Sequence, residues 1–321
     1  MVNAAFPSGL TRHIESLVSS EQNDPIKAQF FPDAREETPG AFELEDPLGE
    51  TRHLATARLV HQYRDRALLL AGGACAAYCR YCFRRVWLAS KPGFVSGSEL
   101  EQALAYIAAH PEIHEVLVSG GDPLTADNAR LEELFRLLRQ TRPELLLRIC
   151  TRIPLTNPSR FDDETIALFR RFRPLRLSIH VNHTNELAPV CRERLAACVD
   201  SGIPVHTQTV LLRGVNDDAA LLARLFRECL NLGLNPYYLF QIDLAPGTAH
   251  FRVPLKRGLE IYRELSALVS GLALPAYALE LPGGGGKIRL HEGVIAEEKM
   301  TPSGLVYVLR DTNGKLWEYP Y

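Results

Sequence analysis

The chain of 321 residues has no excess of charge of either sign: 36 Lys and Arg stand against 38 Asp and Glu, a net of −2. Both signs are spread throughout, so there is no electrostatic case for a nucleic acid or a membrane surface as partner. No apolar run approaches the roughly 20 residues that span a bilayer. The opening residues MVNAAFPSGL are too short and too mixed for a charged-then-apolar secretion signal. A cytoplasmic protein is expected. No cysteine follows Cys229, and there is neither a low-complexity tract nor a repeat longer than one strand and one helix. In a reducing compartment the seven cysteines read as metal-binding, catalytic or buried thiols rather than disulfides.

What is present is a core-forming chain, 46% hydrophobic, with an alternating pattern. Short runs rich in branched and aromatic residues occur at Ala67–Leu70, Val116–Val118, Leu145–Ile149, Leu175–Ile179, Val205–Leu212 and Tyr237–Ile242. Such runs suit strands buried on both faces. Helical spacing follows, as in Leu131, Leu134 and Leu138, or in Leu221, Leu222, Leu225, Phe226 and Cys229 with Gly233 just past the end. Ser96 and Glu99 have the spacing of a capping box before Leu100, Leu104 and Ile107. The predicted fold is α/β, a partial (β/α)6 barrel of the TIM type with chemistry at the C-terminal strand ends. Residues 1–60 read as an irregular flank with a short helix near Leu10–Ser19, 61–275 as the core, and 276–321 as a C-terminal β extension. That extension carries a hairpin signal, Val306–Arg310 and Lys315–Tyr319 around Asp311–Gly314.

Three cysteines stand together directly after the first strand: Cys75, Cys79 and Cys82, spaced C-x3-C-x2-C. Three thiolates on one loop suit three irons of a [4Fe–4S] cube and leave the fourth iron open to chelate S-adenosylmethionine. A structural zinc site is the competing reading and needs four closed ligands, for which His61 is available. Tyr81 before the last cysteine, and Ser119-Gly120-Gly121-Asp122 at the end of the second strand, favour the cluster. The glycine pair there would let backbone approach a bound amino-acid moiety. Farther on, Pro282-Gly283-Gly284-Gly285-Gly286-Lys287 is not a phosphate loop, because Leu281 sits where its first glycine belongs and Ile288 follows the lysine.

Taken together these motifs resemble the lysine 2,3-aminomutase family of radical S-adenosylmethionine enzymes. The resemblance covers roughly residues 45–300, through Asp46-Pro47-Leu48-Gly49, Tyr63 to Leu70, Cys79–Arg85 (CRYCFRR), SGGDPL at 119–124, Asn182 to Glu186, Gln208 to Asn216 and Pro282 to Lys287. It implies an isomerase that converts L-lysine to β-lysine by radical 1,2-amino migration, with [4Fe–4S], S-adenosylmethionine and pyridoxal 5′-phosphate. By the same resemblance Lys287 forms the Schiff base with the pyridoxal cofactor, and Tyr63 and Arg66 lie near its phosphate. Arg84 pairs with the substrate carboxylate, and Asp243 and Glu280 hold the distal ammonium. Tyr81, Ser119, Gly120, Gly121 and Asp122 belong to the cofactor pocket, where His180 and Gln208 are candidate contacts to the adenosyl group.

Two positions depart from the free-lysine enzymes: Glu280 stands where they carry Asp, and Gln62 where they tend to carry a second cation. Glu280 and CRYCFRR resemble the branch that makes (R)-β-lysine for elongation factor P, whereas the intact PGGGGK run resembles the free-lysine enzymes. An arginine or other amino-acid 2,3-aminomutase is the rival within the family, and a zinc-stabilised binding protein the rival outside it. Family members with zinc hold it through cysteines of a C-terminal extension, so no zinc is expected here. Oligomeric state, including a homo-oligomer, is left open.

Overall fold

The computed structural model describes residues 6–320, apart from 39, 91–92, 303 and 312. Ten strands form one sheet in chain order. They are β1 (Leu54–Thr56), β2 (Leu59–Tyr63), β3 (Arg66–Gly72), β4 (Glu115–Gly120), β5 (Leu146–Thr151), β6 (Leu175–His180), β7 (Val205–Leu211), β8 (Asn235–Gln241), β9 (Ala276–Leu281) and β10 (Gly286–Arg289). β3 through β9 run parallel, while β1, β2 and β10 are antiparallel to their neighbours. The six apolar runs become β3 to β8, and β9 adds a seventh parallel strand. Neither edge strand pairs with the other, so this is an open barrel.

The longer helices that cover the sheet include several with a single apolar stripe. In helix Asn128–Thr141 the residues Leu131, Leu134, Phe135 and Leu138 are at most 1% exposed, at i, i+3, i+4 and i+7. Helix Ala219–Asn231 does the same with Leu222, Leu225, Phe226 and Cys229, and Gly233 beyond it has φ +73°, the left-handed stop expected there. The proposed capping box is only half right. Ser96 does precede helix Gly97–Ala109, but its side chain makes no cap, and the Glu99 carboxylate is taken by the Arg58 guanidinium at 2.8 Å. A charged donor outbids a backbone N–H for that carboxylate.

The N-terminal flank holds more structure than its polarity suggested. Helix Arg12–Leu17 lies where a short helix was expected, and helix Pro25–Phe30 was not anticipated. Residues 47–63 then close the seam of the open barrel. The Arg52 guanidinium donates to the Gly283 carbonyl (3.0 Å), Gly283 N–H to the Pro47 carbonyl (3.1 Å), and Lys287 N–H to the Tyr63 hydroxyl (2.9 Å). Gly49 has φ +65°, and a Cβ there would stand 2.5 Å from the Gly284 nitrogen, so no other residue fits this approach.

Past the barrel, β11 (Ile295–Thr301), β12 (Gly304–Arg310) and β13 (Leu316–Pro320) form a second, antiparallel sheet. The hairpin is β12–β13, and residue 312 of its turn lies outside the described residues. β11 escaped notice because its Ala296–Met300 stretch is exposed and mostly polar. The first sheet crosses residues 60 and 275, so those bounds mark changes in sequence character within one layer. Among the described residues no helix is long and apolar enough to cross a membrane.

Candidate active site

The cysteine loop leaves the C-terminal end of β3. Its arginines divide their labour. Arg80 and Arg85 both grip the Glu36 carboxylate, at 2.5 and 2.7 Å, which ties the N-terminal segment to the loop, while Arg84 lines the barrel cavity. Burial, and then the charge of Cys79, push the Cys82 thiol up to about 12. Burial, and then Asp122, push Cys75 up as well. Without metal, Cys75 and Cys82 hold their protons, and bound iron would supply the missing counter-charge. Among the described residues no three His, Cys, Asp or Glu side chains are grouped to hold a single metal ion. His61 does not join the thiols: its ring nitrogens meet the Tyr106 hydroxyl at 3.0 Å and the Arg64 carbonyl at 3.4 Å.

At the end of β4 the glycine pair answers an internal need. A Cβ on Gly120 or Gly121 would stand 2.4 Å from the carbonyl oxygens of Gly72 and Ala74, so the glycines let β4 pack on the start of the cysteine loop. This packing is a reason for the pair additional to the expected close approach to a ligand, and both glycines line the barrel cavity. Asp122 lines the same cavity and is engaged mainly by the protein itself. Its carboxylate already accepts from the Thr151 hydroxyl (2.7 Å) and from the N–H groups of Leu124 (3.0 Å), Arg152 (2.7 Å) and Ile153 (3.1 Å). It knots two loops together and has little left for a cofactor.

His180 and Gln208 end up side by side, in register on β6 and β7. Burial first, then Arg152, lower the His180 imidazole to about 4, while its bond to Gln208 works the other way. It is therefore a neutral ring at neutral pH, fit to exchange hydrogen bonds with an uncharged group. Tyr81 is 7% exposed, edge-on to Phe251, with its hydroxyl accepting from Arg152 at 2.7 Å.

Across the cavity stand the charged groups. The Arg84 fork holds Glu50 through two bonds (Nε–Oε2 3.0 Å, Nη2–Oε1 2.5 Å), and Nη1 reaches the Ser119 hydroxyl at 3.4 Å. Glu50 was missed, since nothing in its local sequence marks it beyond lying next to Asp46–Gly49. Lys287 on β10 is directly opposite Glu280 on β9, and their side chains pair at 3.1 Å. The ammonium also lies over the rings of Tyr238 (4.3 Å) and Phe240 (4.7 Å). Tyr63 donates to Glu280 at 3.2 Å. Burial, and then Glu280, hold the Asp243 carboxyl up at about 8.

All of these groups, the three thiols and Lys287 included, line one cavity of about 290 Å³. A second, of about 540 Å³, opens beyond Lys287 and adds Arg289 and Arg310 to Arg66 and Tyr63. Arg289 shares a face with Lys287, two residues along β10 and opposite the buried Ile288. Neither added arginine was anticipated, although the i, i+2 spacing from Lys287 would have marked Arg289.

The Radical SAM superfamily model matches residues 69–226, from β3 into helix Ala219–Asn231. A Treponema pallidum protein, provisionally named an L-lysine 2,3-aminomutase, is 46% identical over 88% of this chain and 81% of its own length. The L-lysine 2,3-aminomutases of Fusobacterium nucleatum and Escherichia coli K12 are 35% and 38% identical, covering 97% and 84% of this chain and 72% and 79% of their own. This chain belongs to the lysine 2,3-aminomutase family of radical S-adenosylmethionine enzymes. The solved structure of anSMEcpe with bound AdoMet shares the fold, at TM-score 0.51 and 13% identity over 62% of this chain and 58% of that one.

This aminomutase is thus an isomerase whose cofactors are a [4Fe–4S] cluster, S-adenosylmethionine and pyridoxal phosphate. Its residues fit those groups. Three thiols from one loop line the cavity, and the Lys287 amine lines it too. That amine also borders the second cavity with the guanidinium groups of Arg66, Arg289 and Arg310, charge that suits a phosphate.

Proposed function

We propose that the chain is an L-lysine 2,3-aminomutase in which Cys75, Cys79 and Cys82 hold the cluster and Lys287 anchors the pyridoxal cofactor. When bound, the cluster with S-adenosylmethionine supplies a hydrogen-abstracting radical, and the pyridoxal ring carries the migrating nitrogen. One observation carries the choice of lysine: two carboxyl groups, Asp243 and Glu280, face the cavity with an ammonium, that of Lys287, against Glu280 at 3.1 Å. With the cofactor bound, the Lys287 amine would serve it instead of these acids, and Asp243 and Glu280 would be free to receive the substrate's distal ammonium. Arg84 binds the substrate carboxylate in exchange for Glu50. The neutral His180–Gln208 pair meets the adenosyl group. Anaerobic turnover with lysine, arginine and glutamate tests the proposal; rapid conversion of arginine or glutamate in place of lysine would defeat it.

Glu280 and CRYCFRR favour a second assignment within this one, a product destined for elongation factor P. Chiral separation of the β-lysine decides it, an (R) product supporting that branch.

Arg84→Lys should weaken lysine binding about tenfold, about 1.4 kcal/mol, because a point charge cannot replace a fork. Lysinamide, which has no carboxylate, should bind both forms alike. Anaerobic titration of the cofactor's absorbance measures both.

Arg66 and Arg289 are proposed to hold the cofactor phosphate, Arg289 standing in for the cation that Gln62 does not provide. Arg289→Ala should weaken pyridoxal phosphate binding about tenfold or more, on the scale of a charge-assisted hydrogen bond. Binding of pyridoxal itself should be unchanged.

A further inference from the structure

Arg152, the residue after β5, is buried with 6% of its surface exposed and is not used by the reaction described above. One terminal nitrogen, Nη1, donates to the Cys79 sulfur at 2.8 Å and to the Tyr81 hydroxyl at 2.7 Å. The other, Nη2, donates to Gln29 Oε1 at 2.6 Å and to Glu186 Oε2 at 2.7 Å. The guanidinium lies over the Phe30 ring at 4.4 Å. Both anchors are themselves fixed: Asn182 donates to Gln29 at 3.0 Å, and the N–H groups of Asn182 and His183 donate to Glu186 at 2.9 Å each. A buried cation is thereby aimed at one sulfur, with a single carboxylate behind it. Burying a charge is costly unless it is paired and hydrogen-bonded; Glu186 and Gln29 meet that need on one side of the fork, and the other side is turned to the sulfur.

We infer that Arg152 is a positioning residue that sets the reduction potential of the cluster through the Cys79 sulfur, with Glu186 as the counter-charge that limits the effect. The inference rests on the reading of Cys79 as an iron ligand. Reduction adds one electron to [4Fe–4S]2+ to give [4Fe–4S]1+, the electron coming from an external low-potential one-electron donor. A hydrogen bond and a positive charge at a ligating sulfur stabilise the more negative state and so raise the potential. The nearer of two opposed charges dominates. Arg152 touches the sulfur, whereas Glu186 acts from the far side of the guanidinium.

The experiment is an anaerobic redox titration of the reconstituted protein, followed by the electron paramagnetic resonance of the reduced cluster and mediated by reduced viologen dyes. Iron and sulfide content are measured first. A wild type that assembles no cluster overturns the Cys79 reading itself. With the cluster assembled, Arg152→Gln should cut the ratio of reduced to oxidised cluster at a set potential about tenfold, a midpoint lower by about 59 mV for one electron. Arg152→Lys, which keeps the charge and loses the fork, should fall between that and the wild type. Glu186→Gln should move the midpoint upward, and this opposite sign is what a merely structural network would not produce. Should Arg152→Gln fail to assemble a cluster, the other two variants still decide. Full clusters with unshifted midpoints, or a Glu186→Gln shift downward, would overturn the inference.

Discussion

Lys287→Ala is expected to lose the borohydride-trappable attachment of pyridoxal phosphate completely while keeping the cluster spectrum. The reason lies in the placement of the amine. Lys287 is held in β10 by register with Glu280, its N–H is tied to Tyr63, and its Nζ sits against Glu280 in the cavity wall. The chain has few lysines, and among the described residues no other lysine lines either cavity. Among the described lysines no substitute is therefore placed to reach the same carbonyl. Removing Lys287 also removes the cation beside Glu280 and Asp243, so lysine should still bind noncovalently to the vacated acids. Anaerobic spectra before and after borohydride, followed by peptide mapping, check this. Cofactor trapped on a different lysine in the variant would refute the assignment.

The second large effect concerns those acids. Asp243→Asn or Glu280→Gln should each weaken lysine binding by about 2–5 kcal/mol, the usual cost of removing one member of a desolvated charge pair. Since both acids act on one ammonium, the double variant should lose less than the sum of the singles. Radical initiation, measured as slow cleavage of S-adenosylmethionine without substrate, should survive. A pH dependence follows. The Asp243 carboxyl is held up at about 8 by burial first and by Glu280 second, with Glu50 adding to the rise and Lys287 and Arg84 opposing it. A cation needs the ionised form, so below about pH 8 the binding of lysine expels a proton from Asp243. Affinity should therefore increase with pH, by at most about tenfold per unit, and level off above the Asp243 value. The lysine side chain, with a reference pKa of about 10.4, stays charged across that window. In Asp243→Asn the dependence should flatten. A wild-type affinity that does not change between neutral pH and pH 6 would sink the clamp.

What could be read from the chain alone was whatever depends on local pattern. Six buried strands with helices between them follow from short branched runs alternating with helical spacing, and they appear as β3 to β8. The thiol loop and the glycine–lysine run were legible because each compresses its chemistry into a few adjacent residues. Contacts between distant segments were not. Glu50 meets Arg84 across 34 residues, Arg152 meets Cys79 across 73, and Tyr63 meets Lys287 across 224. No periodicity encodes such a meeting; it arises from strand register and from the way the N-terminal flank folds into the open seam. The same is true of Asp122 and of the paired glycines. Their sequence motif suggested a ligand pocket, and only the fold showed that they also serve the packing of β4 on the cysteine loop and the joining of two loops. Sequence determined which side chains are available and on which strands they ride. Tertiary structure decided which of them face one another, because a buried charge must find its partner wherever the closing barrel puts one.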